Sequence, residues 1–270
     1  MRFKPVRYNL YIYKNQMKLV AIGGGEIDKY EIPSNLVSID KEIISLANKT
    51  NPKLLFIPTA SNDYSEYIFG VNKYFGDKFN CQVDSLELIS KENTPELIKD
   101  KILNSDIIYV GGGSTANLIK KWNEINLQAL LKIAFDKNII VSGISAGANC
   151  WFDSGMSDMR KNEGVEEDFN YQEIKCLGFF DFVLCPHFNN DDNKRHRYES
   201  FKDILKKNNK IGIALDECCA IEIIDNKYKI ISSQKDRNAY LAYWKNSKFI
   251  INQIPQTDDY YDLTDLKNGK

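Results

Sequence analysis

Ser145 stands in Gly143-Ile144-Ser145-Ala146-Gly147, a G-x-S-x-G pattern with small residues around the hydroxyl. Such a pattern marks a nucleophile elbow, a sharp strand-to-helix turn that lifts a serine into a cleft. An incidental serine on a tight turn would look the same, so the partners must decide. A serine hydroxyl is a poor nucleophile until a base takes its proton, and histidine is the usual base. The chain has two histidines. His196 lies in Asn193-Lys194-Arg195-His196-Arg197, a charged stretch that suits the surface. His187 follows the apolar run Phe182 to Cys185, at a strand's carboxyl end, where parallel α/β sheets gather ligands and where Ser145 also lies. His187 is therefore the candidate base, against the alternative of a structural histidine.

The third group must be a carboxylate that orients the imidazole and stabilises its charged form. Asp153 and Asp158 follow the elbow, and Glu217 follows the buried run Ile211 to Leu215. Strand position favours Glu217, while a solvated acidic cap remains the bland alternative for all three. Chain order then separates folds. An ordinary α/β-hydrolase runs Ser, acid, His, with the histidine late. Here the base follows the serine by only 42 residues and the favoured acid comes after it, which disfavours a common lipase or esterase. An oxyanion hole is also needed. The amide of Ala146 supplies one donor, and Gly111-Gly112-Gly113 can supply a second. A phosphate cradle is the rival for these glycines, but Ser114-Thr115-Ala116 stands where a Walker lysine would finish the motif, and Gly23-Gly24-Gly25-Glu26 lacks the dinucleotide spacing.

These residues must be held by strands and helices. Lys18 to Ile22 is an apolar run emptying into Gly23-Gly24-Gly25, and Lys53 to Ile57 is a second, broken by Pro58. Between them Leu36, Ile39, Ile43 and Ala47 fall at helical spacing. Residues 64 to 78 read as a helix, Val83 to Leu88 as a strand, Thr94 to Leu103 as a polar helix, and Ile107 to Val110 as the strand before the second glycine triplet. Leu127, Leu130, Leu131, Ala134 and Phe135 line one helical face directly before the elbow strand. Alternating buried strands and one-faced helices predict an α/β fold with a mostly parallel sheet and helices on both faces. Residues 152 to 175 are polar and predict a surface excursion, and Asn189 to Lys194 predicts a turn. A helix is expected over Tyr198 to Lys207. Ile221 to Ile224, Tyr228 to Ile231, Tyr240 to Trp244 and Phe249 to Ile251 predict a C-terminal meander of antiparallel strands.

The chain has 270 residues, 43% hydrophobic and 27% charged, with a net charge of -1. Such a balance offers no general attraction to nucleic acid or to an anionic membrane, so small molecules or peptides are the expected partners. Residues 1 to 16 are too polar for a signal-peptide core, and no run approaches the ~20 apolar residues that span a bilayer. Six cysteines without C-x-x-C spacing read as small core hydrophobes. The expected compartment is the cytoplasm. The expected organisation is an N-terminal extension over residues 1–17, one α/β domain over 18–254 and a frayed tail over 255–270.

Taken in order, GGGST at 111–115, GISAGAN at 143–149, CPHF at 185–188 and the Asp216-Glu217 pair resemble the peptidase E (aspartyl dipeptidase) and cyanophycinase-like family of serine peptidases. The resemblance covers about residues 18 to 225. It implies a class I glutamine amidotransferase-like, flavodoxin-like fold. By motif it puts the nucleophile on Ser145, the base on His187, the triad acid on Glu217 and the oxyanion donors on Gly113 and Ala146. It further implies a supporting or substrate-binding role for Asp158, and for Arg197 the binding of an acidic side chain at the substrate's amino terminus. The expected function is hydrolysis of short peptides, with no cofactor and no metal, a small peptide as partner and a homodimer left open. The alternatives are a member of the same fold that binds a peptide or amino acid without cleaving it, and an amidotransferase-like or metal-dependent hydrolase. Serine rather than cysteine at the elbow, and only Cys185 with His187 as a ligand set, weigh against the last pair.

Overall fold

A computed structural model describes residues 17–27, 34–159, 170–189 and 194–269. The N-terminal extension up to residue 16, the acidic residues Glu163, Glu166, Glu167 and Asp168, and most of the turn expected over 189–194 lie outside these residues.

The first half alternates strand and helix as expected, with one helix, over Thr115–Glu124, not predicted from the sequence. Strands β1 (Lys18–Ile22), β2 (Lys53–Ile57), β3 (Gln82–Ser85), β4 (Ile107–Val110) and β5 (Ile140–Ile144) are separated by helices α1 (Val37–Ser45), α2 (Ser65–Phe79), α3 (Pro95–Leu103), α4 (Thr115–Glu124) and α5 (Leu127–Asp136). All five strands are parallel and adjacent, in the order β1-β5-β4-β2-β3. The apolar runs of β1, β2 and β4 are explained by burial on both faces, one core formed by residues such as Leu19, Leu55 and Trp122, the other by Val20, Phe56 and Phe75, whereas β3 at the sheet edge is polar and part exposed. Helix α3 starts where Thr94 accepts the Leu97 N–H and Pro95 fills the first turn. Helix α4 starts where Ser114 accepts the Asn117 N–H.

Beyond the elbow the architecture departs from a single sheet. A four-residue helix α6 (Ala146–Asn149) leads into β6 (Phe152–Met159), which pairs antiparallel with β7 (Asn170–Lys175) and parallel with β8 (Phe180–Cys185). After α7 (Lys194–Asn208), β9 (Gly212–Leu215) joins β8 in parallel. These strands build a second sheet, with order β13-β12-β9-β8-β6-β7. The strands expected to form one meander are divided. β10 (Cys219–Ile224) extends the first sheet antiparallel to β1 and β11 (Lys227–Ser232) pairs antiparallel with β10, whereas β12 (Ala239–Lys245) and β13 (Lys248–Ile254) extend the second.

Two further expectations are corrected. The surface excursion over 152–175 contains two paired strands, β6 and β7, because Phe152, Ser154, Met156 and Tyr171 turn buried side chains inward. Residues 255–269 do not form the frayed tail expected. Tyr261–Asp262 form β14 on β11, Asp262 caps α8 (Leu263–Lys267), and Leu263 and Leu266 are buried. Among the described residues no helix is long and apolar enough to cross a membrane.

Candidate active site

The chain passes from the first sheet to the second through α6 and returns through residues 216–218. Ser145 and Glu217 sit at these two crossings, and His187 sits at the carboxyl end of β8 between them in sequence. At the elbow Ser145 has φ 56° and ψ -113°, a backbone state that costs a non-glycine residue roughly 1–3 kcal/mol. The Ser145 N–H donates to the Ile22 carbonyl at 3.0 Å, which fixes the turn against the end of β1.

His187 Nε2 lies 2.9 Å from Ser145 Oγ, and His187 Nδ1 lies 2.9 Å from Glu217 Oε1. The structure therefore brings Ser145, His187 and Glu217 into one hydrogen-bonded line. With Nδ1 protonated, the ring donates to the carboxylate and presents Nε2 as acceptor for the serine proton. The hydrogen bond from His187 holds the Glu217 carboxyl below its ordinary value, against the opposing effect of partial burial. Such a line can deprotonate a serine as it attacks a carbonyl.

The loop after β1 locks this geometry. His187, at φ 53°, donates its N–H to the Gly23 carbonyl at 3.0 Å, and Cys218, at φ 60°, donates to the Gly24 carbonyl at 2.8 Å. Phe188 N–H reaches the Leu215 carbonyl at 3.0 Å. Gly24 packs directly on the imidazole: a methyl group there would lie 2.4 Å from His187 Cε1 and Nδ1. Asn189 Oδ1 accepts the Glu217 N–H at 2.7 Å, tying the histidine turn to the acid's backbone. Neither Gly24 nor Asn189 was singled out by sequence. The only signals were a glycine beside a strand end and an amide two residues after the histidine.

Gly113 follows β4 at φ 138°, in a region that side chains avoid, and a methyl there would meet the Ala60 carbonyl oxygen at 2.2 Å. Among the described residues neither the Gly113 nor the Ala146 N–H has an acceptor. Both are free to donate to a ligand. Under the elbow, buried Asn149 donates to Thr115 Oγ1 and to the Met156 carbonyl, both at 3.1 Å, linking α6 to α4 and β6.

The remaining candidates separate. Asp153 leaves the site altogether, paired with Lys175 and Lys210. Asp158 is exposed on β6, opposite Tyr171 of β7. Arg197, expected on a solvated basic face or as a substrate contact, is only 6% exposed. Its Nη1 donates to the Pro186 carbonyl at 2.9 Å, its guanidinium lies 4.6 Å from the Tyr171 ring centre, and its Nε has no partner. His196, one residue earlier, is exposed. Among the described residues no group of three or more His, Cys, Asp and Glu side chains gathers in a way that could hold a metal ion.

The comparisons with known proteins agree on a lineage. A sequence profile described as peptidase family S51 matches residues 19–231. The uncharacterized peptidase YgaJ of Bacillus subtilis (strain 168) is 33% identical over 224 residues, covering 83% of this chain and 90% of that protein. Peptidase E of Nostoc sp. (strain PCC 7120 / SAG 25.82 / UTEX 2576) is 28% identical over 203 residues, covering 72% and 78%. Among solved structures, a peptidase from an acI-B1 Actinobacterium superimposes with a TM-score of 0.69 at 18% identity, covering 94% of this chain and all of that one, a likeness of fold. The chain belongs to peptidase family S51.

Proposed function

We propose that this protein is a serine peptidase acting on short peptides through Ser145, His187 and Glu217. His187 takes the proton of Ser145 as its oxygen attacks the scissile carbonyl, and the N–H groups of Gly113 and Ala146 donate to the oxyanion. The imidazolium, stabilised by Glu217, returns the proton to the leaving amine. Water, deprotonated by the same histidine, then releases the acyl group from Ser145. The observation that carries this reading is the pair of 2.9 Å contacts joining Glu217, His187 and a serine held in a strained elbow. Ser145→Ala should lower peptide turnover by a factor on the order of 10⁶. A folded variant with unchanged peptidase activity would remove Ser145 from the chemistry.

A preference for an acidic first residue is part of the same proposal. Arg197 supports it as a buried guanidinium beside the histidine turn, for which no ion-paired carboxylate is found among the described residues. A substrate carboxylate would supply the missing counter-charge, and Asp158 at the rim would suit the substrate's amino group. Dipeptides with varied first residues, compared between wild type and Arg197→Met, test this. Selective loss of acidic substrates is expected, and equal loss on all of them would leave Arg197 as a structural clamp on Pro186.

A further inference from the structure

The turn after β4 is pinned amide by amide. Gly111 N–H donates to the Ile57 carbonyl at 3.1 Å, Gly112 N–H to the Tyr67 hydroxyl at 3.3 Å, and Ser114 N–H to the Ala60 carbonyl at 2.8 Å. Only the Gly113 N–H between them is left without an acceptor among the described residues. Two of the three anchors are main-chain carbonyls from β2 and the turn after it. The third is a side chain from α2, and it holds the residue immediately before Gly113.

Tyr67 is built to hold that position. Its ring stands edge-on to Phe56, with centroids 5.1 Å apart and planes at 74°. It also abuts the turn itself, since a methyl on Gly111 would come within 2.9 Å of Tyr67 Cε1. Gly112 in turn lies against the nucleophile, where a methyl would be 3.5 Å from Ser145 Cβ. Burial pushes the Tyr67 phenol up to about 12, so it remains a neutral hydroxyl at any working pH.

We infer that Tyr67 is a positioning residue for the oxyanion hole: by accepting the Gly112 N–H it fixes the Gly112 backbone and so aims the Gly113 N–H at the oxyanion. The inference rests on the serine-peptidase reading of the site. It separates Tyr67 from the acid-base line, because among the described residues Tyr67 has no hydrogen bond to His187 or Glu217, and it carries no charge that changes.

The test uses the full chain, an alkyl fluorophosphonate that reacts at an activated serine, and a peptide substrate. Removing an oxyanion donor outright costs roughly 10²- to 10³-fold in kcat, so a donor left in place but less well aimed should cost about 10-fold. In Tyr67→Phe both phosphonylation of Ser145 and kcat should fall by about that factor, with KM within twofold and the pH midpoint unmoved. Tyr67→Met keeps apolar volume against Phe56 without a hydroxyl, and should behave alike if Tyr67→Phe does not fold. A folded hydroxyl-less variant with wild-type rates overturns the inference, as does a loss confined to KM or a displaced pH midpoint. Failure of the wild-type Ser145 to react at all is a different result, and it sinks the serine-peptidase reading with this inference.

Discussion

Gly24→Ala isolates the contact between the β1 loop and the imidazole. Gly24 is not among the residues at positive φ, so its backbone accepts an alanine without strain. The difficulty is space. The added methyl would lie 2.4 Å from His187 Cε1 and Nδ1 and 3.0 Å from Glu217 Cγ, where an ordinary contact is about 3.5–4.0 Å. The ring must retreat by about 1 Å. A shift of that size lengthens or misaligns at least one of its two hydrogen bonds, each now 2.9 Å. A misplacement of about 1 Å in a reacting group costs on the order of 10²-fold, close to 3 kcal/mol of transition-state stabilisation. Overpacking itself costs the fold about 1–3 kcal/mol. The assay is kcat/KM on a peptide substrate, with thermal unfolding measured alongside so that lost activity can be assigned to folded protein. A folded Gly24→Ala within threefold of wild type would refute the argument that this loop fixes the histidine.

Glu217→Gln removes the charge that supports the imidazolium and favours the wrong tautomer, so kcat should fall by about 10³- to 10⁴-fold with little change in KM. The same variant carries a stability signature, read by chemical denaturation across pH. Because the folded pKa of Glu217 lies below the ordinary 4.5, its stabilising contribution is present above that value and is lost as pH falls through the lower folded value. The wild type should therefore be the more stable protein above about pH 4.5, with the gap closing on further acidification; a gap that widens in acid would contradict this. Asn189→Ala leaves the Glu217 N–H without its 2.7 Å acceptor, and should lower kcat by about 10-fold in steady-state assays while leaving KM near wild type.

β1, β2 and β4 were legible because double-sided burial writes itself as unbroken apolar runs such as Lys18 to Ile22 and Ile107 to Val110, whereas the edge strand β3, read as Val83 to Leu88, runs over Gln82–Ser85 with its side chains part exposed. The same kind of run cannot say which sheet a strand joins. Phe182 to Cys185 and Ile211 to Leu215 therefore read as more of the first sheet, although they belong to the second. Ser145, His187 and Glu217 were legible because each follows a strand end, and the geometry brings them together. Gly24, Asn189 and Tyr67 were not, since what they do is a contact across the fold. Gly24 meets a ring 163 residues away in the chain, and no local pattern encodes such a meeting. Asp158 was read as part of a surface excursion because its polar neighbours hid the alternation that puts Ser154 and Met156 inward. The C-terminal tail did carry a signal in Leu263 and Leu266, three residues apart behind a capping Asp262.

If Ser145 is the nucleophile, it becomes covalently acylated during turnover. An activated ester of an N-acyl amino acid, mixed with the protein and quenched in acid within the first turnover, tests it by intact mass and peptide mapping. One acyl group per chain is expected, mapped to Ser145 and absent from Ser145→Ala. An acyl group on another residue, or equal acylation of Ser145→Ala, would contradict it.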